Sequence, residues 1–498
     1  MSRAAGGTLG RFDLDPAREL PLYRQLYGAL RDRLASGAIP AGQRLRSTRA
    51  LAQELGVSRN TVQAAFDRLI DEGLIESRVG AGCFAASAWI ERPPRTSAEG
   101  APAPSATQEV PRLSRLGRSL VGPLRGLDAT RPRPFSLGVP ALGAFPLTRW
   151  SRLLARRARR TEVADLASGP PTGIQRLRDV LAQDFLPRRG VRCEPAQILV
   201  LPSAQLGLDL CARLLVDPGD VALVEDPGYL GARAALQAVG ATLEPLTIGV
   251  DGARFDRLPS AASDARVAYL TPSHQFPLGV AMTLERRLQA LAWAERARAW
   301  IVEDDYDSAF RHDGRPVQAL QGLDRDGRVL YLGTLSKILF PSLRLAYLVV
   351  PEALVDVFVA ARFRVDGHVA VAIQEAVADF VADGHLASHL RRMGALYRER
   401  RDLLVEQCER RFGGHFRLAG GEAGLHLALV GPEPSADHLA VCAERFDLDL
   451  STLSTYALAS PIRGLALGYG HLSPAEILAG SESLERALDA HRPGRTDR

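Results

Sequence analysis

Lys337 is the single lysine in a 498-residue chain whose Lys and Arg residues together number 62. The two side chains differ in chemistry. A guanidinium stays protonated and is a very poor nucleophile, whereas a lysine amine can lose its proton in a suitable pocket and attack a carbonyl carbon. Compositional drift toward arginine accounts for a lone lysine as well as function does, so its neighbours decide. Lys337 closes Gly333-Thr334-Leu335-Ser336-Lys337, and Arg344 follows seven residues later. Other chemistry-bearing residues also follow short apolar runs. Asp304 and Tyr306 come after Trp300–Glu303. His274 and Gln275 lie in Thr271–Gly279, after Val267–Leu270. Tyr229 ends Glu225-Asp226-Pro227-Gly228-Tyr229, after Val221–Val224. Ala204 and Gln205 open a helix after Ile198–Leu201.

An amine, a carboxylate, a phenol, a phosphate-seeking guanidinium and a helix N-terminus together suit pyridoxal 5′-phosphate (PLP). Lys337 would form a Schiff base with the cofactor aldehyde. Asp304 would hold the pyridine nitrogen protonated, and Tyr306 would bond the ring oxygen. Arg344, the Thr334 and Ser336 hydroxyls and the Ala204 and Gln205 amides would bind the phosphate. Tyr229 would stack on the ring. Each residue alone reads as structural or solvated. Their joint occurrence at successive strand ends carries the reading.

The elements that must position these residues alternate. Short β-rich runs and longer helical patterns follow each other from about Phe135 onward, which predicts an open α/β sheet with crossover helices. Sites in such sheets lie beyond the carboxyl ends of the strands. Ahead of this unit, the stretch 89–134 is rich in Pro, Ala and Arg and reads as a linker.

The N-terminal stretch, 15–88, has its own pattern. Leu22, Tyr23, Leu26, Tyr27, Leu30 and Leu34 recur at helical spacing. Ser47 caps a second helix, Gly56-Val57 makes a tight turn, and Ser58 caps a third. Leu74–Ser77 and Cys83–Ala85 read as two strands joined through Gly80 and Gly82. Two helices about a glycine turn, followed by a hairpin, make a winged helix-turn-helix. The third helix carries Ser58, Arg59, Asn60, Thr61 and Gln63 at its start, where a recognition helix meets base edges. Arg49 on the preceding helix reaches a phosphate or a base edge, and Gly80 and Gly82 belong to the DNA-facing wing.

Arg44–Arg49, Leu55–Arg59 and Glu72–Ile75 resemble the GntR-type DNA-binding domain, with Arg46 where that family usually has proline. The stretch from Phe135 to Leu488 resembles fold-type I aminotransferases through Gly333–Lys337, Pro341–Arg344 and Glu303–Asp307. The combination is similar to the MocR/GabR subfamily of bacterial regulators. The resemblance implies a multidomain chain: a winged helix-turn-helix, then a large α/β PLP-binding domain (135–490) with a smaller C-terminal α+β subdomain. It also implies a homodimer, because the family builds its sites at dimer interfaces. The family's Asn-Pro-x-Gly is replaced, so the asparagine at the ring oxygen is missing, and His274 or Gln275 stands in for it. Ser168-Gly169 replaces a frequent Tyr-Gly. Arg463 is the candidate clamp for an effector carboxylate, the other reading being a surface charge at a strand start.

The bulk numbers are compatible. A net charge of +5 over this length is a mild bias, so DNA binding rests on the motif. No apolar run reaches membrane-spanning length, and Met1–Gly6 lacks the apolar stretch of a signal peptide. The five scattered cysteines include no CxxC and read as reduced thiols. The expectation is a bacterial cytoplasmic regulator that binds double-stranded operator DNA. It senses a small amine or amino acid, or PLP itself, through the Schiff base at Lys337. Two rivals stand beside it: a working aminotransferase with an accessory DNA-binding domain, and a repressor that keeps the fold without the cofactor.

Overall fold

A computed structural model describes residues 12, 14–18, 20–78, 81–86, 113–114, 117–118, 132–312, 318–432, 445–460 and 462–489. Gly80 and most of the expected linker lie outside the described residues. The chain forms two units, Met1–Arg112 and Leu113–Arg498.

The first unit contains α1 (Leu22–Ala35), α2 (Thr48–Leu55), α3 (Arg59–Asp71), β1 (Ile75–Arg78) and β2 (Gly82–Ala85). The Ser47 hydroxyl accepts from the Ala50 amide, and the Ser58 hydroxyl accepts from the Thr61 amide. Both satisfy amides that a helix start leaves unpaired. Gly56 ends α2 in the left-handed region, at φ 66°, which glycine enters without steric cost. Leu26, Leu30, Leu51, Val62, Phe66 and Leu69 form the shared core. β1 and β2 pair antiparallel, Ile75 opposite Ala85. This is the expected winged helix-turn-helix.

The second unit is built on an eight-stranded sheet of order β3-β10-β9-β8-β7-β4-β5-β6. Its strands are β3 (Ile198–Leu201), β4 (Val221–Asp226), β5 (Thr242–Gly249), β6 (Gly252–Ala253), β7 (Ala265–Leu270), β8 (Trp300–Asp305), β9 (Val329–Thr334) and β10 (Ala346–Val349). The pairs β5-β4-β7-β8-β9 are parallel. β10 runs antiparallel to both β9 and β3. Alternation along the strands divides the core. Leu199, Leu201, Leu330 and Leu332 join the cluster of helices Ala204–Leu215, Leu230–Ala238 and Val355–Asp366. Val200, Tyr331 and Tyr347 face the opposite cluster, with Leu177, Phe185 and residues of the long helix His385–Phe412. A second, antiparallel sheet of order β11-β12-β14-β13 (β11 Arg417–Gly420, β12 His426–Val430, β13 Ser451–Thr452, β14 Gly464–Gly468) and the helix Pro474–Asp489 make the smaller α+β subdomain.

Candidate cofactor and effector site

Strand register assembles the first part of the site. Leu201 of β3 stands beside Ala346 of β10, which stands beside Thr334 of β9. The segment after β3, the segment after β9 and the residue two positions before β10 therefore emerge at one edge. They carry Ala204 and Gln205, then Ser336 and Lys337, then Arg344. The Ser203 hydroxyl caps the helix Ala204–Leu215 by accepting from the Leu206 amide at 3.1 Å. The helix start leaves other first-turn amides for an anion. The Gln205 side chain is spent elsewhere, donating to the Gly231 carbonyl at 2.9 Å. Thr334 Oγ1 accepts from the Ser336 amide at 3.1 Å and keeps its own proton to donate. Arg344 is exposed and sits in left-handed backbone, φ 50°, a conformation costly for a residue with a Cβ. Strand register thus brings amides, hydroxyls and a guanidinium, the groups a phosphate would need, to one end of the sheet.

Asp304 is the second-last residue of β8 and is buried. Its Oδ2 accepts from the Tyr269 hydroxyl at 2.8 Å, while its Oδ1, also buried, has no partner among the described residues. Burial pushes this carboxyl up to about 7, reinforced by the nearby Asp305, Glu225 and Asp307 carboxylates and opposed by the Tyr269 bond. A buried acceptor without a donor is rare in native proteins. An N–H donor bearing positive charge would satisfy this oxygen and compensate its charge.

The Lys337 amine donates to the Gly138 carbonyl at 2.8 Å. Burial lowers its pKa, with Asp307 acting in the opposite direction. This is the direction that favours the neutral, nucleophilic form. Gly138 has φ 67°, and a Cβ there would lie 2.5 Å from Nζ. Only glycine lets the backbone come this close.

Tyr306 and His274 meet as anticipated from neither residue alone: the Tyr306 hydroxyl lies 3.1 Å from His274 Nδ1. The same nitrogen lies 2.8 Å from Asp307 Oδ1. His426 packs on His274 with ring centroids 4.7 Å apart, and burial holds its imidazole down at about 3. Tyr229 is partly exposed and meets Phe276 edge-on, at 5.9 Å between ring centroids. Gln275 has a different job. Its Nε2 donates to Glu225, to the Pro227 carbonyl and to the Phe276 carbonyl, and its Oε1 accepts from the Leu278 amide. Its amide is fully engaged in holding the β4 and β7 loops together, leaving His274 as the residue beside Tyr306.

Arg463 immediately precedes β14. It is exposed, just before Gly464, and Gly464 pairs with Val430. His426, which touches the site, pairs with Gly468 at the other end of β14. At about 3.3 Å per residue, the strand holds Arg463 away from His426.

The smaller subdomain is clasped to the β4 loop. Asp226 accepts from the Leu458, Ala459 and Ser460 amides at 2.7, 2.9 and 2.7 Å. Gly228 and Arg233 both donate to the Tyr456 carbonyl.

In the first unit Arg49, Ser58, Arg59, Asn60, Gln63 and Gly82 are exposed, and Thr61 is half-buried because its hydroxyl lies 2.9 Å from that of Ser58. Gln63 donates to Asp67 at 2.7 Å. Arg46, the departure from the family pattern, pairs with Glu54 on α2.

Residues 22–85 match the bacterial regulatory protein gntR family, and residues 141–452 match aminotransferase class I and II. The chain is 39% identical over 482 residues, 95% of each chain, to the probable rhizopine catabolism regulatory protein MocR of Rhizobium meliloti. It is a MocR-type member of the GntR family of transcriptional regulators. Another relative is the pyridoxine biosynthesis transcriptional regulator PdxR of Corynebacterium glutamicum, 30% identical over 92% of this chain and 94% of that one. Among solved structures, the α-aminoadipate aminotransferase LysN of Thermus thermophilus, complexed with N-(5′-phosphopyridoxyl)-L-leucine, superposes with a TM-score of 0.66. It is 28% identical and covers 72% of this chain and 92% of that one. The aminotransferase fold of the second unit is thus established by sequence and by shape.

Several residues of this MocR-type site escape a reading by local pattern. Tyr269 sits inside an apolar strand run, Gly138 precedes the first strand of the sheet, and His426 opens a strand of the smaller subdomain. Asp307 alone carried a signal, as the last residue of the acidic cluster that begins at Glu303. No helix among the described residues is long and apolar enough to cross a membrane.

Proposed function

We propose that the second unit of this MocR-type regulator binds PLP, and that a small amine or amino acid engaging the bound cofactor alters the hold of the first unit on operator DNA. The unpartnered Asp304 Oδ1 carries this reading, since it asks for an N–H donor bearing positive charge. When bound, PLP supplies an aldehyde for an amine and a ring that draws electrons. The chain's own residues then divide the work. Lys337 offers the tethering amine, held by the Gly138 carbonyl and kept toward its neutral form by burial. The Ala204 and Gln205 amides, Thr334, Ser336 and Arg344 hold the phosphate. Tyr306, with His274 beside it, faces the ring oxygen, and Tyr229 covers the ring. Arg49, Arg59, Asn60 and Gln63 meet the DNA. The names of the relatives, which concern pyridoxine biosynthesis and rhizopine catabolism, support control by the cofactor or by an amine. The protein would act as a homodimer in the bacterial cytoplasm.

The test pairs spectroscopy with DNA binding. Purified protein mixed with PLP should show a bound-cofactor absorbance band that Lys337→Ala and Lys337→Arg both lose, because a guanidinium cannot replace the amine. Operator affinity of the parent, measured by fluorescence anisotropy on the intergenic DNA beside its gene, should change on adding PLP or amines. A band surviving in either variant, or an affinity indifferent to PLP and to every amine tested, overturns the reading. Sustained production of a keto acid from an amino donor would replace it with the aminotransferase reading.

A further inference from the structure

We propose that Asp307 is a positioning residue that sets the proton on His274 and thereby turns the Tyr306 hydroxyl into a donor aimed at the cofactor. The inference rests on the PLP reading above and assigns a role to a residue outside the set that this reading gives to the cofactor.

The geometry is specific. Asp307 Oδ2 accepts from the Leu425 amide at 3.1 Å, and Oδ1 lies 2.8 Å from His274 Nδ1. A carboxylate only accepts, so the proton between them sits on Nδ1. The Tyr306 oxygen lies 3.1 Å from the same nitrogen. With Nδ1 already protonated, Tyr306 can only accept there, and its own hydrogen must point elsewhere. His274 Nε2 is left as a buried lone pair with no partner. The imidazole is thus held in one tautomer by a carboxylate, the second-shell arrangement that orients histidines at metal and catalytic sites.

The surroundings keep the dyad in place. Gly424 has φ 76°, and a Cβ there would lie 2.2 Å from His274 Cε1 and 2.4 Å from Asp307 Oδ2. The dyad also bridges three pieces of chain: the loop after β7, the loop after β8 and the start of β12. The charged and titratable groups that face Tyr306 are Asp304, Asp305 and Asp307 from its own segment, with Glu225, His274 and His426 from neighbouring elements. Lys337 lies within electrostatic reach of Asp307. A Tyr306 proton directed at the cofactor's ring oxygen stabilises negative charge there and lowers the pH at which the bound cofactor loses its proton.

Asp307→Asn tests this. The asparagine carbonyl still accepts from Leu425, while its NH2 donates to Nδ1 and moves the histidine proton to Nε2. The single Nδ1 lone pair then faces two donors, the new NH2 and the Tyr306 hydroxyl, and a Tyr306 proton drawn to it is no longer aimed at the cofactor. The experiment titrates the absorbance of the PLP-loaded full-length protein against pH for the parent, Asp307→Asn, Tyr306→Phe and the double variant. The expected result is a midpoint raised in Asp307→Asn by about one pH unit, a tenfold change in proton affinity, with no further rise when the substitution is added to Tyr306→Phe. An Asp307→Asn midpoint equal to the parent's overturns the proposal. So does an equal shift in the Tyr306→Phe background, which would mean that Asp307 acts independently of Tyr306. Loss of the band in Asp307→Asn with an unchanged melting temperature also overturns it, as a binding role. A parent that shows no band at all is the failure of the PLP reading and is seen before any variant is compared.

Discussion

The Tyr269 hydroxyl donates to one oxygen of Asp304 at 2.8 Å and leaves the other oxygen buried without a donor. Tyr269 fixes the carboxylate's orientation, and in the proposed function the remaining lone pairs would accept the N–H of the cofactor ring.

The pH dependence of stability should show this buried carboxyl. The folded pKa of Asp304 lies near 7, above its ordinary value of 3.8. The folded state therefore holds the proton more tightly than the unfolded chain. The stabilisation is complete below about pH 4 and is lost as pH rises through about 7. Glu225 and Glu303, also pushed to about 7 by burial, act in the same direction. His312, His389, His426 and His471, lowered by burial, act in the opposite one. The informative quantity is the difference between Asp304→Asn and the parent, both free of PLP. The variant should gain on the order of 2 kcal/mol relative to the parent between pH 5 and pH 8, read from thermal or urea unfolding. Parallel pH profiles would remove the ionisable carboxyl from the account. With PLP present the ranking should reverse, since the asparagine cannot balance a protonated ring.

Gly138→Ala should act on Lys337 from a distance in sequence. The new Cβ meets Nζ at 2.5 Å in a backbone at φ 67°. The strain costs about 1 to 3 kcal/mol, and the amine is pushed off the Gly138 carbonyl. Covalent PLP retained after borohydride reduction, followed by intact mass, should fall well below the parent's. Full retention in the variant would show that this carbonyl does not place the amine.

Asp226→Asn should loosen the smaller subdomain. The carboxylate serves three successive amides of the 458–460 segment. An asparagine oxygen cannot satisfy all three, and an unmet buried donor costs about 1 to 3 kcal/mol. Hydrogen exchange across 456–460 should accelerate while strands β8 and β9 keep their protection. Unchanged exchange in that segment would mean that the clasp is redundant.

Arg59→Ala should weaken operator binding while leaving the PLP absorbance of the second unit as it was. A base contact would cost about 1 to 3 kcal/mol and relax sequence preference, whereas a phosphate contact would lower the salt slope by about one. Equal affinity for parent and variant would take Arg59 out of the interface.

Much of this architecture is readable in local pattern. Ser47, Gly56 and Ser58 mark helix ends through caps that involve only neighbouring residues, so the sequence names them directly. Strands β3, β4, β7, β8 and β9 appear as apolar runs because buried parallel strands are hydrophobic on both faces. Gln275 and Arg463 show the limit. Gln275 looks like a polar stand-in beside His274, yet its amide is consumed by Glu225, Pro227, Phe276 and Leu278. Arg463 precedes a strand, and only the antiparallel register of β12 and β14 shows that it stands at the opposite end from His426.

By itself, the sequence determined which chemistry is on offer: one amine among arginines, carboxylates after apolar runs and polar residues at a capped helix start. These follow from residue type and from interactions a few positions long. The tertiary structure decided which of these groups meet. Lys337 finds a carbonyl 199 positions away, and Arg344 comes to the Ser203 helix start because β10 runs antiparallel between β3 and β9. Such pairings depend on strand order and register, which arise from packing across the whole sheet and leave no mark in any short stretch of chain.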